Sequence, residues 1–207
     1  MPIFTDPTHF PSFNELPPTS SPTLPQETWY LIAQIREDMT ITKPTLIVRD
    51  RTGIDFAVTF DDGDHRGLNP NSTTNTTKGK TGFRKGHTLV IPRATRTDRG
   101  DGKKAVVRVP AGSAADVRIV PGALERVLEM GAIIAGIREQ EKQGTRVKKC
   151  AVCGKTEEDG GKEDSLSRCT GCGLAAYCSK ECQVRGWNEL GHKANCKVIK
   201  AIREIWP

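Results

Sequence analysis

The sequence predicts an α+β protein: a small antiparallel β-barrel, then a helix, then a small cysteine-rich C-terminal domain. Short runs of β-branched and aromatic residues recur between residues 29 and 121. Residues 121–144 carry apolar side chains at helical spacing. All seven cysteines lie between Cys150 and Cys196, so the first 149 residues contain none. These three observations divide the chain into regions of different composition.

The chain has 207 residues, which is room for one ordinary domain and a small second one. We expect a flexible Pro/Ser/Thr-rich tail at residues 1–25, because this stretch has several prolines and no Lys or Arg. The β-barrel should span residues 26–120, a helical linker 121–144 and the cysteine-rich domain 146–200.

Six runs read as strands: WYLIAQI (29–35), PTLIVRD (44–50), IDFAVTF (54–60), GHTLVIPRA (86–94), AVVRVP (105–110) and DVRIVP (116–121). The turn sequence RDRTG at 49–53 predicts a hairpin between the second and third strands. Residues 61–82 are rich in turn formers and have no apolar periodicity, so they predict an open, mobile loop. Its two sequons, at Asn71 and Asn75, read as ordinary polar loop sequence.

The barrel residues LIVRDRTG and GHTLVI resemble the hairpin and fourth strand of an OB-like barrel. The resemblance implies an OB-like fold, although the usual helix between the third and fourth strands is missing here. A different small β-barrel is the alternative.

The apolar residues that follow the barrel predict one helix, which begins near Pro121. The residues at helical spacing are Leu124, Val127, Leu128, Ile134 and Ile137. We interpret this helix as packing on the barrel and leading into the cysteine-rich domain, with a dimerisation helix as the alternative.

The cysteines occur in pairs whose spacing suits metal ligation. Two pairs are Cys-x2-Cys knuckles, and the other two have i,i+4 spacing, which places both members on one helix face. The pairs are Cys150 with Cys153, Cys169 with Cys172, Cys178 with Cys182, and His192 with Cys196. Eight ligands satisfy two closed tetrahedral zinc sites and leave no coordination position open. Neither knuckle lies in a thioredoxin-like context, so a redox role is disfavoured.

This pattern resembles the MYND zinc finger family. The resemblance covers residues 150–196 and is supported by Tyr177, the run SKECQ at 179–183, and Trp187. Two intervals are longer than the commonest family form, and we interpret both as loop insertions. The family implies interleaved sites, in which the first and third ligand pairs bind one zinc and the second and fourth pairs bind the other. Spacing alone would equally allow sequential sites.

The resemblance also implies a function: capture of proline-rich segments that carry an aliphatic anchor. By motif position the groove residues are Thr170, Gln183 and Trp187. Trp187 would supply an apolar wall and Gln183 an amide for the peptide backbone. Alternatively, Trp187 is a core residue, and both roles can hold together. We therefore expect a protein-interaction module, either an adaptor or a regulator.

A nucleic-acid-binding regulator is the alternative function. Residues 78–108 carry ten Lys or Arg against Asp98 and Asp101, which would suit a nucleic-acid-binding barrel face. Phe83 is the only aromatic residue in that stretch, so the stacking platforms that such faces use are scarce.

Catalysis is not expected, because the best nucleophiles and bases are assigned to zinc and no hydrolase or P-loop motif occurs. Some MYND proteins are SET-domain methyltransferases, but only eleven residues follow Cys196. The N-terminus has no signal-peptide pattern and no stretch could span a membrane, so we expect an intracellular protein of the nucleus or cytoplasm.

Overall fold

The computed structural model describes residues 3–63, 83–100, 102–156 and 166–207. The mobile loop predicted at 61–82 lies outside these residues, apart from its first three positions. The chain divides into two compact units. We call Pro2–Leu128 the sheet unit and Glu129–Pro207 the C-terminal unit.

The described elements follow the predicted order. The sheet unit contains β1 (Tyr30–Asp38), β2 (Thr45–Asp50), β3 (Asp55–Phe60), β4 (Thr88–Pro92), β5 (Arg96–Thr97), β6 (Val106–Val109) and β7 (Arg118–Val120). Helix α1 (Leu124–Lys142) begins in this unit and ends in the next. The C-terminal unit also contains β8 (Ser167–Arg168), β9 (Ala176–Tyr177), α2 (Lys180–Asn188) and α3 (His192–Ile205). The fold class is therefore α+β, and the predicted helix after the sheet is confirmed.

The sheet is not closed into a barrel and contains one parallel pair, whereas the sequence predicts a small antiparallel barrel. Its seven strands are ordered β5-β6-β3-β2-β1-β4-β7, so β5 and β7 form its two edges. All neighbours are antiparallel except β3 and β6, which are parallel. The edge of β5 carries the N-terminal segment instead: the backbone of Arg96 donates to the Pro17 carbonyl and accepts from the Thr19 amide. The structure therefore corrects the predicted antiparallel barrel in two respects: the sheet is not closed, and β3 and β6 are parallel. Strand counting cannot show which segment occupies an edge or which strands pair in parallel.

The predicted hairpin between the second and third strands is confirmed. β2 and β3 pair antiparallel from Thr45 opposite Thr59 to Arg49 opposite Asp55. The connecting turn is organised by the buried carboxylate of Asp50, which accepts from the amides of Thr52 and Ile54 at 2.9 and 3.1 Å.

The N-terminal segment also differs from the flexible tail expected from its composition. Phe4, Phe10 and Phe13 are all buried. The Phe13 ring stacks on Phe56 with ring centroids 4.2 Å apart, and the Phe13 amide donates to Asp50 at 2.8 Å. Aromatic side chains contribute large buried areas, so these three anchors outweigh the proline content of the segment.

Each unit has its own buried side chains. In the sheet unit, alternate residues of the strands face one apolar core, which explains the period-two burial of β2 and β3. In the C-terminal unit, α3 buries Val198, Ile199 and Ile202 along one face. Arg138 of α1 donates to the carbonyls of Trp206 and Pro207 at 3.3 Å, so the second half of α1 is fastened to the end of α3.

Candidate metal centre

The eight predicted ligands form two clusters of four. The first cluster is Cys150, Cys153, Cys178 and Cys182, and the second cluster is Cys169, Cys172, His192 and Cys196. Within each cluster all four ligand atoms lie within 4.8 Å of one another. The structure therefore supports the interleaved pairing, and it excludes the sequential pairing that spacing alone allowed.

The separations within the clusters fit tetrahedral zinc. The Sγ atoms of Cys153 and Cys178 are 3.4 Å apart, those of Cys178 and Cys182 3.7 Å, and those of Cys169 and Cys196 3.8 Å. A zinc–sulfur bond of about 2.3 Å predicts about 3.8 Å between two ligands of a tetrahedron. A disulfide would need about 2.05 Å. The donor set and its geometry fit two zinc ions.

The first cluster is assembled around β9. The Cys150–Cys153 knuckle turns through Gly154, whose amide donates to the Cys150 carbonyl at 3.0 Å. The Ala151 amide donates to Ala176 of β9 at 2.8 Å, which fixes the knuckle beside the strand that ends just before Cys178. Helix α2 then supplies Cys182, and the cap residue Ser179 accepts a hydrogen bond from the Cys182 amide. These bonds bring together ligands that lie 25 or more residues apart.

The second cluster joins the β8–β9 hairpin to α3. Cys169 and Cys172 lie on the turn of the hairpin, where the Gly173 amide donates to the Cys169 carbonyl at 2.7 Å. His192 and Cys196 lie on one face of the first turns of α3. A Cβ atom at Gly171 would lie 2.9 Å from the Cys196 Sγ, so a glycine permits this close approach. Arg203 of α3 donates a hydrogen bond to the Cys172 carbonyl and so fastens the Cys169–Cys172 knuckle to α3.

The pKa values of neighbouring thiols in the second cluster differ widely. Burial tends to raise the pKa of Cys169, but hydrogen bonds from the Cys172 amide and the His192 side chain lower it to about 6. Burial and a hydrogen bond with Cys169 raise the pKa of Cys196 to about 12. In the first cluster burial opposes ionisation of Cys150, but hydrogen bonds from the amides of Cys153 and Val152 lower its pKa to about 6. A hydrogen bond with Cys153, together with burial, raises the pKa of Cys178 to about 12. In each cluster one thiol thus ionises more readily than its neighbour, since adjacent thiolates repel. A divalent cation removes this repulsion and lets all the thiols ionise.

The imidazole of His192 contacts two aromatic rings. Its ring centroid is 5.9 Å from that of Tyr177 and 5.6 Å from that of Trp187. Gly186 of α2 leaves room for the Tyr177 ring, because a Cβ there would lie 2.6 Å from the Tyr177 Cε1 atom. Burial, together with the charge of nearby thiolates, raises the pKa of Tyr177 to about 12, so its phenol stays neutral.

The three residues predicted for the peptide groove are on the surface. Thr170 and Gln183 are exposed, and Trp187 is 37% exposed although its ring also contacts His192. The sequence interpretation missed two neighbours: Val184 and Leu190 are about half exposed. Their three-residue spacing from Trp187 was visible in the sequence, but their exposure was not.

Comparison with known proteins agrees with this geometry. The family model described as MYND finger matches residues 150–196. These residues are a MYND finger. MYND fingers mediate protein–protein interaction, so the protein carries a zinc-dependent interaction module.

Two curated relatives share the MYND finger. A SET and MYND domain-containing protein of Dictyostelium discoideum is 38% identical over 53 residues, which are 26% of this chain and 9% of the relative. The human histone-lysine N-methyltransferase SMYD3 is 43% identical over 47 residues, which are 23% of this chain and 10% of the relative. The chain thus matches about a tenth of the length of each relative.

The basic stretch at 78–108 is only partly described. Its arginines on β5 and β6 make local contacts: Arg96 pairs with Asp98 at 3.1 Å and Arg108 with Asp61 at 3.2 Å. Arg84, Lys85 and Arg93 are exposed. Among the described residues, no helix is long and apolar enough to cross a membrane.

Proposed function

We propose that the protein is a zinc-dependent adaptor whose MYND finger captures short proline-rich segments with an aliphatic anchor, and that it is not itself an enzyme. The observation that carries this proposal is the exposure of Trp187 on a surface that zinc holds together. The indole is 37% exposed and is backed by the ligand His192. An aromatic side chain that remains this exposed next to a metal ligand is available to a partner.

The apolar ridge around Trp187 suits an extended ligand. The apolar ridge consists of Val184, Trp187 and Leu190, which follow one another at three-residue spacing and are exposed by 50, 37 and 52%. Proline-rich segments dock on aromatic-lined surfaces because their extended conformation is formed in advance. The exposed amide of Gln183, one helical turn before Trp187, can hydrogen-bond the backbone of such a segment.

The metal chemistry supports binding rather than catalysis. Each cluster supplies four protein ligands, so a bound zinc has no position for an activated water. The methyltransferase named among the relatives matches this chain over the MYND finger alone. We therefore assign the matched segment a binding role in this protein.

A peptide selection tests the proposal. We would select binders for the zinc-loaded full chain from a library of proline-flanked peptides with a random aliphatic centre. Binders should lose affinity at least about tenfold with Trp187→Ala or Val184→Ser. Val147→Ser is the matched control, because Val147 is also an exposed valine of the C-terminal unit, at 62%. Selected peptides that bind both ridge variants unchanged would contradict the proposal.

A second candidate function is nucleic-acid binding by the sheet unit, favoured by the exposed basic residues Arg84, Lys85 and Arg93. This candidate treats the unit as OB-like, that is, a partly open barrel. Support comes from the β1–β2–β3 order and from the three-residue link between β4 and β5, which must curl the sheet strongly. A salt titration separates the two functions, since nucleic-acid affinity falls steeply with salt and apolar peptide capture changes little.

A further inference from the structure

The sheet unit displays a proline-flanked segment of its own. Every residue from Pro22 to Thr28 is exposed, and Leu24 is 49% exposed. Both ends of the segment are fixed. On one side the Thr19 amide donates to the Arg96 carbonyl at 2.8 Å. On the other side Trp29 is 2% exposed, and its Nε1 donates to the Ala94 carbonyl at 2.8 Å.

The chemistry of this segment is that of a ligand. Pro22-Thr-Leu-Pro25 places two prolines three residues apart with a leucine between them. Proline fixes φ and removes an amide donor, so a segment of this kind loses less conformational entropy on binding than a flexible one. An exposed leucine held between two fixed ends is presented to a partner at low ordering cost.

The apolar ridge offers exposed apolar side chains that the leucine of this segment could contact. Val184 and Trp187 lie one helical turn apart on α2, and the exposed Leu190 lies two residues beyond the end of that helix. The two surfaces also differ in charge. Glu27 is the only charged residue in 20–28 and is exposed. Around the ridge, residues 180–193 carry three exposed basic side chains against two exposed acidic ones, which leaves a net positive charge: Lys180, Arg185 and Lys193 against Glu181 and Glu189. Opposite charges at the rim favour the encounter of the two surfaces.

We propose that the apolar ridge of one copy of the chain binds the Pro22–Pro25 segment of a second copy. This inference rests on the proposed function, because it names a partner for the same surface. Every chain carries one segment and one ridge, so two copies can exchange them reciprocally in a closed pair. Two linked contacts hold such a pair more tightly than either contact alone. Self-association would thereby compete with external peptides.

Sedimentation of the zinc-loaded full chain over a range of about 5 to 500 μM tests this proposal. The sedimentation coefficient should rise with concentration. Leu24→Ser and Val184→Ser should each weaken the association at least about tenfold. The matched controls are Ile41→Ser in the sheet unit and Val147→Ser in the C-terminal unit, whose side chains are 76 and 62% exposed. Both controls should behave as the unchanged chain.

Mixing the two defective variants sharpens the test. Leu24→Ser retains an intact ridge, and Val184→Ser retains an intact segment, so a mixture can form one of the two reciprocal contacts. The mixture should associate more tightly than either variant alone and more weakly than the unchanged chain. The proposal would be overturned if the unchanged chain stayed monomeric at every concentration. It would also be overturned if the Leu24→Ser variant associated as tightly as the unchanged chain.

A peptide measurement distinguishes failure of this inference from failure of the proposed function. The labelled peptide SSPTLPQET, residues 20–28, is titrated with the Leu24→Ser chain beside the best library peptide. Saturable binding of SSPTLPQET that Val184→Ser weakens supports the inference. Ridge-dependent binding of the library peptide alone overturns the inference and leaves the proposed function intact. If neither peptide binds through the ridge, both fall.

Discussion

The sheet unit and the MYND finger bury different kinds of side chain. In the sheet unit, the fully buried residues include Phe60, Leu31 and Val58, and the core is aliphatic and aromatic. In the MYND finger, five of the eight buried residues among the described positions are zinc ligands. The sheet unit is thus stabilised by apolar burial, and the finger by metal coordination. One chain therefore contains two units with separate determinants of stability.

Zinc removal should produce the largest difference in stability between the two units. Structural zinc sites contribute on the order of 10 kcal/mol each, so a chelator should unfold residues 150–196. The sheet unit should stay folded, because none of its described residues belongs to either ligand cluster. Elemental analysis should return two zinc ions before chelation, and hydrogen exchange should show β1–β4 still protected afterwards. If the sheet unit and the MYND finger lost protection together, the two units would not have separate determinants of stability.

The reverse experiment removes apolar burial. Phe60→Ala deletes a side chain with no exposed surface and should destabilise the sheet unit by about 3–5 kcal/mol. Two zinc ions should remain bound, since the MYND finger does not depend on this core. Urea unfolding followed by hydrogen exchange measures the first effect, and elemental analysis the second. Ile41→Ala is the surface control and should change stability by less than about 0.5 kcal/mol.

Two helical glycines compare a closely packed position with an open one. Gly186→Ala would push a methyl group into the Tyr177 ring, at 2.6 Å in the present geometry, and should destabilise the MYND finger by about 1–3 kcal/mol. Gly136→Ala in α1 meets nothing within 4 Å and should stabilise the helix by about 0.5–1 kcal/mol. A competition between each variant and a zinc chelator measures the difference. If both variants resisted the chelator equally well, the Tyr177 ring would have to move aside for the new methyl group without destabilising the MYND finger.

Trp187→Ala should weaken peptide capture much more than it destabilises the fold. The side chain is partly exposed and its loss should cost about 1–2 kcal/mol, while both zinc ions stay bound. Peptide capture should fall at least about tenfold, which titration of a selected peptide would reveal. If the variant loses zinc or precipitates, the contact with His192 is the main role of Trp187 and the groove assignment is wrong.

The sequence predicted the local features of both units well. The hairpin β2–β3, the helix α1 and all eight ligands of the two clusters follow from short-range patterns. Such patterns are legible because a turn, a helical face or a Cys-x2-Cys knuckle is determined by residues close together in the chain. The same locality explains why composition predicts a flexible tail at the N-terminus: Phe10 and Phe13 are buried beside Tyr30 of β1 and Phe56 of β3, which lie far along the chain.

By itself, the sequence determined which residues can bind metal and that two ions are needed, because ligand chemistry and number depend on residue type alone. Only the tertiary structure decided which pairs share an ion, since the bond from Ala151 to Ala176 joins segments that are distant in sequence. Tertiary structure also decided that the sheet stays open, with Pro17 and Thr19 on the edge of β5, and that Val184 and Leu190 lie exposed beside Trp187. Edge occupancy and exposure depend on what else packs nearby, and a linear pattern does not contain that information.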